Sequence, residues 1–196
     1  HNSWKVDMPL AVERLLGADA RNWNCLTEPE PFLNNRQIAH PRGRILGGSS
    51  LINGMVYTRG HPLDFEYWKN QAGCHGWGYA DVLPYFKRAE TCLAGPDTYR
   101  GGDGPLIVTK PDLRRDPLNR AFLEAGEEAG YPATSDSNGY KMEGFGPNEQ
   151  TIHRGRRWST ARAYLDQATS RKNLQVISGV TVDRIGVEGG RASDVI

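Results

Sequence analysis

Apolar side chains recur at helical spacing most clearly over residues 117–129, where Leu118, Phe122, Ala125 and Ala129 fall at steps of four, three and four and line one stripe. Asp116 offers a side-chain acceptor to the first free amides, and Pro117 suits the first helical position because its missing N–H is not needed there. Gly130 and Pro132 then end the run. Shorter helices are predicted over 64–70, which carries Phe65, Tyr67 and Trp68, and over 81–90, where Pro84 is tolerable only near the first turn. Another starts at Ser159 or Thr160 and runs through Leu165, and Ala11 to Leu16 gives one or two turns. Strand patterns follow a different period. Residues 105–109 read as a strand after the turn Gly101-Gly102-Asp103-Gly104. Leu174, Val176 and Ser178 alternate with Gln175 and Ile177, and Val180, Val182 and Arg184 continue the alternation. Glu188-Gly189-Gly190 reads as a hairpin turn into a strand over 191–196. Residues 1–40, punctuated by Pro9, Pro29 and Pro31, read as mostly irregular. The expected class is mixed α/β, and a last strand that reaches the chain end leads us to expect a fragment of a longer protein.

Composition narrows the function without naming it. The 196 residues suffice for one domain or parts of two, and 38% hydrophobic with 24% charged residues suits a soluble globular chain. A net charge of +1 gives no concentrated positive field, so nucleic acid is not an expected partner. The short basic stretch of Arg154, Arg156 and Arg157 reads as a solvated or ligand-facing turn. No apolar run approaches the ~20 residues of a membrane span, and no signal peptide is visible. Cys25, Cys74 and Cys92 form no CxxC pair, which favours reduced thiols and a cytosolic setting. Cys74-His75 and Cys92 lack metal-ligand spacing, so no metal is expected. Phe65, Tyr67, Trp68, Trp77, Tyr85 and Phe86 read as core packing ahead of a substrate pocket.

The informative stretch runs from Gly43 to Gly60: GRILGGSSLINGMVYTRG. Adjacent glycines let backbone approach a bulky anion, because no Cβ stands between them. A helix starting near Ser49 would aim unpaired N–H groups at that anion, and the Ser49 and Ser50 hydroxyls would add donors. Taken by itself, Gly-Gly-Ser-Ser is a weak signal that reads more readily as an ordinary turn. It is neither a Walker loop nor the GxGxxG dinucleotide fingerprint.

This stretch resembles the first signature of the glucose–methanol–choline (GMC) flavoprotein oxidoreductases. The likeness continues in Asp64-Phe65-Glu66-Tyr67-Trp68, in Trp77-Gly78-Tyr79, in Val82-Leu83-Pro84-Tyr85-Phe86 and in Gly101-Gly102-Asp103-Gly104-Pro105-Leu106. It resumes in Gly144-Phe145-Gly146-Pro147, in Arg157-Trp158-Ser159-Thr160-Ala161-Arg162-Ala163-Tyr164-Leu165 and in Asn173-Leu174-Gln175-Val176, with wording nearest the choline dehydrogenase branch. The resemblance implies a partial GMC fold: an incomplete FAD-binding domain (1–112 and 155–196) plus the start of a substrate-binding domain (113–154). It implies oxidation of a choline-like or other primary alcohol by hydride transfer to FAD. Gly47, Gly48 and Ser49, with Ser50 beside them, would lie against the pyrophosphate. Asn53, Gly54, Met55 and Val56 would run beneath the isoalloxazine ring, and the backbone of Val182 would meet the adenine. Where some members attach FAD covalently through a histidine, this chain has Ile52, so a non-covalent FAD is expected.

The resemblance also implies absences. The glycine-rich βαβ fingerprint that holds the ADP half would precede this segment, and the catalytic histidine would follow it. None of His1, His40, His61, His75 or His153 matches that histidine, so the catalytic set is expected to be empty here. The alternative function is then a truncated, non-catalytic remnant or scaffold module. The electron acceptor stays open, as does docking of the parent enzyme on a membrane surface.

Overall fold

The computed structural model describes residues 3–17 and 20–196; His1 lies outside them. The chain enters through α1 (Trp4–Asp7), a 3-10 turn at Pro9–Ala11 and α2 (Val12–Leu16). Two strand pairs of two residues each were not anticipated from the sequence. In the first, β1 (Cys25–Leu26) pairs antiparallel with β2 (Ala39–His40), and both strands are exposed. A 3-10 turn at Gly48–Leu51 leads to α3 (Pro62–Asn70), where His61 Nδ1 accepts from Leu63 N and Asp64 Oδ2 accepts from His61 N. This reciprocal cap satisfies two amides that the first turn would otherwise leave bare.

The second predicted helix starts earlier than its pattern suggested. In α4 (Tyr79–Ala89) the Asp81 carboxylate accepts from Gly78 N, which fixes the start before Tyr79 and leaves Pro84 inside the helix instead of in its first turn. Strand β3 (Glu90–Cys92) then pairs in parallel with β4 (Leu106–Val108). Next comes α5 (Pro117–Glu128), where Asp116 Oδ1 accepts from both Leu118 N and Asn119 N. The apolar stripe on α5 is open: Leu118 is 79% and Phe122 65% exposed, and Gly126 is the helix's buried residue. The second short pair joins β5 (Ile152–His153) to β6 (Arg156–Arg157), antiparallel. The predicted helix after Ser159 is present, with a π-helical stretch at Ala161–Leu165 running into α6 (Asp166–Ala168).

Residues 174–182 do not form the expected strands, because a strand needs a neighbouring edge and no strand among the described residues pairs with them; Asp183 N and Arg184 N donate to Ile196 O (2.7 and 3.2 Å) and lead into the hairpin that follows. The hairpin is present as β7 (Ile185–Glu188) and β8 (Arg191–Val195), antiparallel, with Gly189 and Gly190 at φ +56° and +78°. Two successive positive φ values match the turn that suits right-twisted strands.

Val6, Leu15, Leu51, Ile52 and Ala161 make the apolar core, with Ile45 and Leu165 packed against it. It binds the N-terminal helices, the glycine–serine bend and the π-helical stretch into one unit. Of the aromatic residues expected to pack, Phe65 is buried and holds edge contacts with Trp68 (5.4 Å) and Phe86 (5.7 Å). Tyr67, Trp68, Trp77 and Tyr85 are exposed, which corrects that expectation, and Trp68 and Trp77 meet edge-on at 6.1 Å. No helix among the described residues is long and apolar enough to cross a membrane.

Candidate cofactor site

The bend at residues 43–56 is held from behind by three connections. Gly43 approaches Gly48 so closely that an added Cβ would lie 2.3 Å from the Gly48 carbonyl oxygen. Gly47, at φ +96°, packs on Leu51 and Ala161, where a Cβ would meet them at 2.3 and 2.9 Å. The Ser50 hydroxyl donates to the Gly47 carbonyl (2.6 Å), accepts from Thr160 N (3.1 Å) and sits 2.9 Å from the Thr160 hydroxyl. The bend is therefore anchored to the start of the π-helical stretch.

Its outer side is different. A Cβ on Gly48 (φ +56°) or on Gly54 would meet nothing within 4 Å, and Ser49, Asn53, Gly54 and Val56 are exposed. Some hydrogen-bonding capacity is already used. The Gly48 amide donates to Ile45 O (2.8 Å), and the Ser49 hydroxyl oxygen accepts from Gly43 N (3.0 Å), which leaves the Ser49 O–H free to donate outward. Met55 is buried in the left-handed region at φ +63°, its N–H bonded to Asn53 Oδ1 (3.1 Å) and its carbonyl to Thr151 N (2.8 Å). A non-glycine residue held there signals a locally strained backbone, of the kind that clusters at ligand contacts. Tyr57 N donates to Glu149 O (2.8 Å) and Val56 bridges Gln150, so this run is stitched to residues 149–151. Val182 lies apart, 57% exposed and outside any strand.

Arg157 was read as part of a solvated or ligand-facing turn; it is 1% exposed. Its Nη1 donates to Asn53 O and Asn53 Oδ1 (both 2.7 Å) and to Ser50 O (3.2 Å), and its Nε donates to Val6 O (3.1 Å). Nη2 is buried without a hydrogen-bond partner among the described residues. Carbonyl oxygens bind the guanidinium and no carboxylate among the described residues pairs with it, so burial pulls its pKa down to about 10. Arg154 and Arg156 are exposed, as expected of a turn. The only hint of Arg157's burial lay in the matched run that begins with it.

A second buried cluster escaped the sequence reading altogether. Arg100 donates through Nε and Nη2 to the two Glu90 oxygens (2.9 and 3.2 Å), and through Nη1 to the carboxylates of Asp136 and Glu149 (2.8 Å each). Arg59 Nη2 approaches Glu90 Oε1 at 2.6 Å, an ion-pair contact too bent to count as a hydrogen bond, and Arg59 N donates to Asn138 Oδ1 (2.9 Å). Burial alone would raise the Glu90 pKa, but the hydrogen bonds from Arg100 and Gly101 N and the positive charge of Arg59 outweigh it and hold the carboxyl below its ordinary value. Burial likewise opposes the Arg100 charge, and its carboxylate partners more than offset this. Tyr57, desolvated beside Arg59, is pushed up to about 12 and stays a neutral phenol.

Three of the described histidines make local structural contacts. His61 caps α3, His153 packs edge-on against Trp158 (5.3 Å), His40 contacts Arg42, and His75 is exposed. No cluster of three or more metal-binding side chains occurs among the described residues. Two surface clefts, of about 400 and 870 Å³, lie between residues 97–99 and 133–141 and between residues 110–114, α5 and residues 145–147, both away from the bend. The open outer side of Gly48 and Gly54, with outward polar groups at Ser49 and Asn53, suits a flat, phosphate-bearing cofactor laid along the backbone.

Comparisons with known proteins place the chain in a family. A family model described as GMC oxidoreductase matches residues 12–196. The chain is 51% identical over 193 residues to the oxygen-dependent choline dehydrogenase of Ectopseudomonas mendocina (strain ymp), covering 98% of this chain and 34% of that protein. It is 49% identical to the enzyme of that name in Yersinia pestis (strain Pestoides F), with the same coverage. Among solved structures it superimposes on pyridoxine 4-oxidase from Mesorbium loti with a TM-score of 0.90 at 35% identity, over 100% of this chain and 38% of that one. It also matches an FAD-dependent oxidoreductase from Chaetomium thermophilum with a TM-score of 0.84 at 25% identity, over 100% of this chain and 35% of that one. The chain thus spans about a third of the length of the curated relatives it matches.

Proposed function

This chain belongs to the GMC oxidoreductase family, and from that premise we propose that the whole protein oxidises a choline-like or other primary alcohol to the aldehyde, using a non-covalently held FAD. The supporting observation is the bend at 43–56, anchored on one side by Gly43, Gly47 and Ser50 and open on the other along Gly48, Asn53 and Gly54. FAD, when bound, supplies the hydride acceptor. Gly47, Gly48 and the Ser49 hydroxyl would hold the pyrophosphate. Asn53, Gly54, Met55 and Val56 would support the ring, and the backbone of Val182 would contact the adenine. Ile52 is buried and carries no nucleophile, which supports a dissociable flavin. Residues 1–112 and 155–196 would form the FAD-binding part and 113–154 the start of the substrate part. The base that takes the alcohol proton would come from outside this site, since the described histidines are committed elsewhere or exposed.

The test is made on the full-length protein. Purified with added FAD, it should show flavin absorbance, release that flavin to the supernatant on acid precipitation, and reduce a dye with choline or simple alcohols. A colourless protein after FAD addition would refute the reading. A second reading, that this chain by itself is a non-catalytic scaffold module, is favoured by the openness of the bend. Titrating the 196-residue chain with FAD separates the two, because a tight stoichiometric complex counts against the scaffold reading.

A further inference from the structure

The reading of the 47–56 bend as a cofactor support leaves one arrangement unexplained, the buried cation behind it. Asn53 Oδ1 receives two hydrogen bonds, from Arg157 Nη1 (2.7 Å) and from Met55 N (3.1 Å). A guanidinium and a peptide N–H can only donate. The atom facing them must therefore be the carboxamide oxygen, so the orientation of the Asn53 amide follows from chemistry and not from an assignment choice. Its nitrogen is left on the opposite side, where Asn53 is exposed and Nδ2 has no partner among the described residues. Asn53 is thus presented outward as a donor only.

We propose that Arg157 is a positioning residue for the cofactor: it pins the Asn53 oxygen inward so that the amide N–H faces an acceptor atom of the flavin, and it keeps an unneutralised positive charge behind that contact. Two observations carry this independently of each other. The first is the donor pair on Asn53 Oδ1. The second is the guanidinium itself, 1% exposed, bound to carbonyl oxygens of Val6, Ser50 and Asn53, with Nη2 unpartnered among the described residues. A side chain needed only to bridge carbonyls would carry no such desolvation cost if it were neutral. A fixed positive charge near a flavin favours its electron-rich reduced form, so the cation would also raise the flavin's midpoint potential.

The test uses the full-length flavoprotein and four variants: Asn53→Asp, Arg157→Met, Arg157→Lys and the double variant Asn53→Asp/Arg157→Met. Asn53→Asp keeps both inward acceptor bonds and neutralises Arg157 but loses the outward donor. Its apoprotein should melt at or above the wild-type temperature, while FAD binds about tenfold more weakly, the loss of one useful hydrogen bond. Its flavin midpoint potential should fall. Arg157→Met should also lower the potential, with Arg157→Lys restoring part of it because the charge is kept. In the double variant Asn53→Asp should no longer protect the melting temperature. Unchanged FAD affinity and potential in Asn53→Asp would overturn the proposal, and so would a folded Arg157→Met protein with wild-type potential. If Arg157→Met does not fold, the Asn53→Asp arm decides alone. A wild-type protein that takes up no flavin would instead sink the functional reading on which the proposal rests.

Discussion

At Gly47 an added Cβ would lie 2.3 Å from Leu51 Cδ1 and 2.9 Å from Ala161 Cβ at a φ of +96°, whereas at Gly48 it would meet nothing within 4 Å. Two neighbouring glycines that look alike in sequence therefore answer to different constraints, one to packing and the other to an outside approach. Gly47→Ala should cost about 2–4 kcal/mol, the sum of overpacking and left-handed strain. Gly48→Ala carries only the strain, about 1 kcal/mol, and should instead weaken FAD binding in the full-length protein. Denaturant unfolding of both variants checks this, and equal losses would contradict it. The stretch was legible as a glycine-rich bend, and only the longer matched run around it pointed to a close approach. Which glycine faces inward was not legible, because that depends on Ala161, more than a hundred positions away. Arg157 hid for a related reason. A run with Arg154 and Arg156 beside it looks solvated until β5 pairs with β6 and turns one of the three inward.

Among the elements, α5 was the most legible, since its start and stop are chemical and local. Asp116 accepts from Leu118 N and Asn119 N, and Gly130 follows the helix at φ +85°. Asp116→Ala should cost about 1 kcal/mol. The face of the helix was legible as apolar but not as covered, because cover comes from whatever packs on it. With Leu118 79% exposed, Leu118→Ser should change the stability of this chain by less than about 0.5 kcal/mol. The packed side is at Gly126, where a Cβ would stand 2.5 Å from Phe145 Cδ1, and Gly126→Ala should cost about 1–3 kcal/mol. Thermal or urea unfolding of the three variants gives the ranking, and a large loss for Leu118→Ser would show that the open stripe is covered in solution. The same logic explains residues 174–184, whose alternation was read correctly as a pattern and wrongly as a formed strand. A hairpin such as β7–β8 carries its partner with it; an isolated strand does not.

Across the whole molecule, one buried charge network joins segments far apart in sequence: Arg59 after the bend, Glu90 on β3, Arg100, and Asp136 with Glu149 from the stretch around α5. No local pattern marked these residues, since each is an ordinary polar position until the fold brings them together. Removing one partner leaves the others buried and uncompensated, so Glu90→Gln should cost about 3–5 kcal/mol at neutral pH. The pH dependence has a definite sign. The Glu90 carboxyl is held below its ordinary value of 4.5, so the folded state binds its proton less readily than the unfolded state. Its contribution is therefore complete above the unfolded pKa and is lost as pH falls through the folded one. Urea unfolding at neutral pH and at pH about 3 should show wild type approaching the Glu90→Gln variant in acid, because the unfolded state then takes up the Glu90 proton that the folded state resists. If the gap between the two proteins were the same at both pH values, the loss would come from shape and packing at position 90, and charge would not be what fastens residues 134–150 to the bend.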